Sequence, residues 1–196
     1  MDWFVKLIAI AFGAIFAENL VFAGGLGTGQ MLRAAKKPAH LGVYGLLVSG
    51  YIFMTNLITW PINRMLGFGQ WAGLLRPLFF TAVMALLYFG TVLALKWKWE
   101  QTYQKLVTIL PMTSLNCVVL AVPFLVGRNA YTFVESVFFA LGAGIGFMLA
   151  ILLLSEGMDT IENQDMPKAF RGLPTALIYI GILSLAVVGF TGTGIF

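Results

Sequence analysis

One cysteine, one carboxylate inside an apolar run and two asparagines are the residues of this chain whose types and surroundings suit chemistry. Cys117 is the single cysteine among 196 residues, which excludes an intramolecular disulfide and any zinc site built from several thiolates. It is either a small packing residue, the usual role of a free cysteine in a helix, or a soft ligand. Its place beside Asn116, in a segment that Pro111 and Pro123 interrupt, adds weight to the ligand reading. Glu18 lies well inside an apolar segment. A carboxylate at membrane depth costs several kcal/mol unless it is paired, protonated or wet, so it is a candidate for an ion path; the bland alternative is a helix-terminal carboxylate near the interface. Asn19 and Asn116 either line an ion or cofactor site or satisfy carbonyls freed by a nearby helix break.

Other polar residues point to structure. Glu135 opens an apolar helix after Arg128 and Asn129, where a carboxylate suits the positive end of the helix dipole. Gly142, Gly144 and Gly146, with Ala143 beside them, line a face of one helix for close packing. The run Gly24-Gly25-Leu26-Gly27-Thr28-Gly29 is no phosphate loop, because no Gly-Lys-Ser/Thr follows and no strand precedes. His40, the single histidine, reads as a loop residue. It leaves no Ser/His/Asp or Cys/His arrangement, and no metal-ligand spacing is present.

The elements that must position these residues are membrane helices. Hydrophobic residues make up 60% of the chain and charged ones only 10%, against roughly a quarter charged in soluble domains. The mean hydropathy of +0.91 has the same cause, and only lipid accepts such an exterior. The fold class is therefore an all-α integral membrane protein, one domain over residues 1–196. Six apolar segments qualify as spans of about 20 residues: Trp3 to Leu32, Leu41 to Ile62, Leu75 to Leu95, Leu106 to Val126, Phe133 to Ser155 and Leu173 to Phe196. The hydrophobic start, with Lys6 inside it and no small-residue cleavage site, reads as a retained helix and not a signal peptide.

Basic residues set the orientation. Arg33, Lys36, Lys37, Lys96, Lys98, Lys105, Lys168 and Arg171 fall in the first, third and fifth connections, against Lys6, Arg64, Arg76 and Arg128 on the other side. Odd connections then face the cytoplasm and both termini lie outside. Trp60, Trp71, Trp97 and Trp99 flank the apolar runs as an aromatic belt. The twelve Lys and Arg against eight Asp and Glu read as topology signals and lipid head-group contacts, with no nucleic-acid surface.

Two segments are irregular: the first, by its glycines, and the fourth, by its prolines. Asn19-Leu-Val-Phe-Ala-Gly24 lines up with Asn116-Cys-Val-Val-Leu-Ala121, and each opens a three-span half, residues 1–98 and 99–196. An odd number of spans per half makes the repeats inverted, and broken helices at matching positions point to a site near mid-membrane.

Longer motifs carry a resemblance. Leu110-Pro111-Met-Thr-Ser-Leu-Asn116-Cys117 looks like LPLITxNC, and Glu135-Ser-Val followed by the glycine-rich stretch to Ala150 resembles ESVVYGFGSGVGWMLA. Met166-Pro-Lys-Ala-Phe-Arg-Gly172 is similar to VPxxFRG, Gly189-Phe-Thr-Gly192 to GFSG, Phe16-Ala-Glu18-Asn19 to FxEN, and Ala35-Lys36-Lys37 to SKK. Together they resemble the Rnf/Nqr integral membrane family, in its Rnf A and Nqr E subunits, over essentially the whole chain. The resemblance implies a multi-pass subunit of the bacterial inner membrane, in a complex that relays electrons coupled to Na+ or H+ translocation. It would then be part of an ion-pumping oxidoreductase.

Further expectations follow from the resemblance. In that family the subunit pairs with an inverted relative, and cysteines from the broken helices of both hold a two-iron, two-sulfur cluster. Cys117 matches one cysteine position. Where the family reads FLGxC, this chain has Gly25-Leu26-Gly27-Thr28-Gly29, so Gly29 replaces the other. Such a cluster needs about four ligands; a homodimer of this chain brings two thiolates and a pairing with a two-cysteine relative brings three. No Thr-Gly-Ala-Thr-like site is present, so no covalent FMN is expected. The competing reading is a cluster-free homologue that transports a small solute or ion past Glu18, Asn19 and Asn116.

Overall fold

A computed structural model describes residues 2–35, 41–67, 72–161, 167 and 172–191. His40, Trp71, Lys36, Lys37, Lys168, Arg171, Gly192 and most of the Met166–Gly172 motif lie outside the described residues. All the regular structure among them is helical: α1 Asp2–Ile15, α2 Thr28–Ala35, α3 Leu41–Leu66, α4 Ala72–Lys98, α5 Glu100–Leu106, α6 Leu110–Ser114, α7 Cys117–Arg128, α8 Phe133–Ile161 and α9 Leu173–Thr191. Four stretches are long and apolar enough to cross a membrane: Leu41–Leu66, Ala72–Lys98, Leu110–Arg128 and Phe133–Gly157. Trp3–Ile15 and Leu173–Gly189 are shorter apolar helices.

The boundaries differ from the sequence expectation in ways that have physical causes. The first segment is no single helix: α1 stops at Ile15 and α2 starts at Thr28, with Gly25 at φ +65° and Gly27 at φ +75° between them. These left-handed conformations suit glycine and end a right-handed helix. The fourth segment starts late. Leu106 ends α5, and a turn precedes α6, whose first turn holds Pro111; proline is tolerated there because its missing N–H is one the helix would leave unbonded. Pro61 falls inside α3, yet the helix runs on to Leu66, and α8 continues past Ser155 to Ile161.

At the centre of the bundle, α8 packs against α1 and α3, and α3 in turn packs against α7 and α4. Lipid tails are as apolar as leucine, so close van der Waals contact between helices replaces the hydrophobic drive available in water. The glycines of α8 provide that contact, but on two faces and not one. A Cβ on Gly142 would meet the backbone of Ala11, and one on Gly146 would sit 3.1 Å from the Ile15 carbonyl, so this i,i+4 pair admits α1. Gly144 is turned toward Ser49 of α3, whose hydroxyl donates to the Gly45 and Gly144 carbonyls at 2.9 Å each. Two residues along a helix subtend about 200°, which is why alternate glycines serve opposite neighbours.

The turn from α7 to α8 closes with Tyr131 N donating to the Val126 carbonyl at 3.2 Å and Ala130 N to that of Gly127 at 3.3 Å, the paired bonds of a Schellman ending. Ala130 occupies its left-handed position at φ 51°, a conformation that costs a side-chain-bearing residue about 1–2 kcal/mol. Ala130→Gly is expected to stabilise the protein by about 1 kcal/mol, seen as a rise of roughly 2–4 °C in the thermal midpoint in detergent; a lower midpoint would contradict the strain.

Candidate functional site

The two breaks meet. In the first, Asn19 is buried and each of its amide atoms is engaged. Its Oδ1 accepts from Val21 N at 3.0 Å and Phe22 N at 3.3 Å. Its Nδ2 donates to the Ile15 carbonyl at 2.7 Å and to Gly146 of α8 at 3.1 Å. One side chain thus satisfies the open end of α1, starts the turn that follows and ties both to α8. Beyond it, Ala23 N reaches the Asn19 carbonyl and Gly25 N that of Val21, at 2.8 and 2.9 Å.

Asn116 holds the second break in the same manner. It is fully buried and extended at the start of α7, with φ −94° and ψ 135°, the conformation of a helix-capping residue. Its Oδ1 accepts from Val118 N at 3.1 Å, and its Nδ2 donates to the Tyr44 hydroxyl of α3 at 3.2 Å. Both asparagines therefore accept from the N–H two residues on, and both lend their amide nitrogen to a neighbouring helix.

Contact between the breaks runs through Cys117 and Gly27. Gly27 N donates to Cys117 Sγ at 3.0 Å, and Gln30 Nε2 donates to the Leu115 carbonyl at 3.2 Å. A Cβ on Gly27 would lie 2.7 Å from Val118 Cγ2 and 2.9 Å from Asn116 Oδ1, so only glycine fits this approach. Cys117 itself is exposed on the outside of the bundle. Gly29, two residues past Gly27 in the first turn of α2, is also exposed, and a Cβ there would meet nothing within 4 Å.

Glu18 is exposed as well, at the mouth of an open groove of about 550 Å³ that Asn19, Ala121, Phe124, Leu125 and Arg128 also line. The asparagines are thus buried braces, while Glu18, Cys117 and Gly29 face outward. Glu135 does the work of a helix start: it accepts from Thr132 N at 2.9 Å and pairs with Lys6 Nζ at 2.6 Å, joining α8 to α1. Among the described residues no group of three or more His, Cys, Asp or Glu side chains is gathered to hold a metal ion. Sequence reasoning missed the polar stripe of α3, Thr55, Asn56, Thr59 and Asn63, all buried; the signal was polar residues spaced by three and four inside an apolar span. It also missed Tyr44, whose role depends on a neighbour 72 residues away.

The family model described as Rnf-Nqr subunit, membrane protein, matches residues 7–194. The chain belongs to this family. Among its relatives, the A subunit of the Na(+)-translocating ferredoxin:NAD(+) oxidoreductase complex of Acetobacterium woodii is 31% identical over 96% of this chain and 98% of that protein. The E subunit of the Na(+)-translocating NADH-quinone reductase of Pseudoalteromonas translucida is 33% identical over 94% of this chain and 96% of its own length. The A subunit of an ion-translocating oxidoreductase complex from Syntrophotalea carbinolica is 31% identical, covering 95% and 97%.

The contact geometry separates two glycines of one loop. Gly27→Ala is expected to lower the thermal midpoint by several degrees, because the left-handed φ alone costs about 1–2 kcal/mol before any overlap with Val118. Gly29→Ala is expected to leave it within a degree or so of the native protein, its Cβ pointing into open space. Equal losses at the two positions would sink this reading of the break.

Proposed function

We propose that this chain is a membrane component of an Rnf/Nqr-like electron transport complex, which relays electrons across the membrane coupled to Na+ or H+ translocation. The relatives are named as the A and E subunits of such complexes and align along nearly their whole lengths. We read the chain as six spans in two inverted three-helix repeats, in the bacterial inner membrane with both termini outside. The matched bonding of Asn19 and Asn116, each at the head of a break, supports the repeat.

A partner protein is supported by the physics of the break. Ala17, Glu18, Ala23, Gly24 and Gly25 are exposed along a non-helical stretch, and irregular backbone at membrane depth persists only where protein or water covers it. We assign the cover to another membrane subunit of the complex, an inverted relative or a second copy of this chain.

The residues present do not make an iron–sulfur site on their own. A two-iron, two-sulfur cluster takes four thiolates in its common form, and this chain has Cys117 alone, with Gly29 at the other family position. Cys117 is fitted to contribute one ligand at such an interface, since the residue is exposed and its sulfur accepts a backbone N–H; a partner would have to supply the rest. When bound, a cluster of this kind supplies a one-electron relay. The observation that carries the proposal is this exposed cysteine at the junction of the two breaks.

Gly29 and the Glu18 groove favour a second reading, a cluster-free homologue that moves an ion or small solute. Iron content and the EPR spectrum of the reduced, intact complex separate the two. The expected result is stoichiometric iron that Cys117→Ser abolishes and that Gly29→Cys leaves in place; an iron-free complex would remove the electron relay. Independently, Glu18→Gln is expected to reduce ion transport several-fold with iron unchanged, and normal transport would take Glu18 out of the ion path.

A further inference from the structure

Between α2, which follows the first break, and α6, which precedes the second, lies a cavity of about 300 Å³ that the electron-relay reading does not use. The start of α3 closes its third side. Arg33 reaches it from the last turn of α2 and Lys105 from the last turn of α5, so each half of the chain contributes one cation. Both are exposed. Among the described residues no carboxylate pairs with either, and the wall includes none. A cation in the last turn suits the negative end of the helix dipole, but that end carries about half a charge and offsets a full one in part. The dipole explains each residue singly, and not why two cations share one cleft. Like charges facing one cleft repel, and an anion between them relieves the repulsion.

The surroundings select the anion. α4 ends at Lys98, and α5 follows at once with no buried residue, which puts this corner at the end of a span. Trp97 is 94% exposed and Trp99 57%. Lys96 Nζ lies 5.2 Å from the Tyr103 ring centroid, and Lys98 Nζ 5.3 Å from that of Trp99. Tryptophan, tyrosine and long-stemmed lysine are the residues of the head-group layer. Apart from Thr108 and Tyr44, the rest of the cavity wall is Ala34, Ile109 and Met112. These side chains offer a free inorganic anion nothing, but they pack against the glyceryl end of a lipid. Phosphate suits the forked guanidinium, and basic pockets between membrane helices are where anionic head groups are held. Phosphatidylcholine and phosphatidylethanolamine would each bring an ammonium group against the two cations. The volume stands at the lower edge of small-molecule sites, room for a head group and not for a dinucleotide.

We infer that this cavity binds the phosphodiester head group of an anionic phospholipid, held between Arg33 of the first half and Lys105 of the second. Tyr44 connects the site to the breaks, because it forms part of the wall and its hydroxyl accepts the Asn116 amide. The bound lipid thus ties α2 to the α5–α6 segment beside the brace that holds the second break. The chemistry shared with free phosphate is the cation–phosphate contact; the apolar wall and the head-group setting favour the lipid.

The test uses the full-length protein, with whatever subunits co-purify, in nanodiscs of phosphatidylcholine alone or mixed with phosphatidylglycerol or phosphatidylethanolamine. Retained lipid is counted by mass spectrometry after exchange into detergent. Native protein is expected to keep phosphatidylglycerol selectively, and its thermal midpoint to rise with the phosphatidylglycerol fraction, as a ligand of the folded state requires. The double variant Arg33→Gln/Lys105→Gln is expected to weaken retention about thirtyfold, the effect of removing two cations from an anionic lipid surface, and Lys105→Gln alone about fivefold. Lys96→Gln/Lys98→Gln removes the same charge outside the cavity and is expected to keep retention within about twofold. All four side chains are exposed, and a native midpoint in phosphatidylcholine alone checks folding. Equal losses from the two double variants would overturn the inference, reducing it to attraction to a basic surface. No preference over the zwitterionic lipids would do the same, as would release of the lipid by inorganic phosphate, which makes the site one for a soluble anion. So would loss of the lipid on assembly with partner subunits, which gives the cations to a partner's carboxylate.

Discussion

Hydrocarbon offers a broken helix no water with which to bond its freed carbonyls and N–H groups. Two breaks in one small membrane bundle therefore double the same problem, and the structure answers it with the same residue type twice. Asn19 and Asn116 each accept from the N–H two positions on and reach with their amide nitrogen to another helix. Further polar groups are matched between the breaks: Gly27 N to Cys117 Sγ, Gln30 Nε2 to the Leu115 carbonyl. Remove this mutual satisfaction and neither interruption has a reason to persist, nor has the sulfur a reason to stand where it does.

Close helix approach makes the arrangement possible. Gly142 and Gly146 let α1 descend along α8 until Asn19 touches the Gly146 carbonyl. Gly144 brings Ser49 of α3 to the other side, and α3 carries Tyr44 to Asn116. The glycines of α8 and the asparagines of the breaks are thus one system: the first set sets the spacing and the second uses it. Lys6 and Glu135 fix the same α1–α8 register at its far end.

These contacts leave one face uncovered. Cys117, Gly29 and Glu18 are all exposed, next to a stretch of irregular backbone that lipid cannot solvate. Irregular backbone at membrane depth persists only where protein or water covers it, so this edge is the one that needs a cover.

Sequence alone determined the solvent, the helical class, the two interruptions and the family, since each follows from composition, from local backbone chemistry or from linear motifs. A tenth of the residues charged already excludes a water-facing surface, and the glycine cluster before α2 and Pro111 in the first turn of α6 mark the two interruptions, although Pro61 and Pro123 lie inside continuous helices. It also determined that Glu135 belongs to a helix start, as its spacing from Thr132 is local. What it left open was every choice between a residue's two chemical roles. Whether Asn19 and Asn116 brace backbone or line a site, and whether Glu18 and Cys117 point inward or outward, depend on partners tens of residues away. Those distances are set by helix packing, and only the tertiary structure decides them. Its effect was to bury the asparagines as braces and to turn the thiol and the carboxylate toward whatever lies outside the chain.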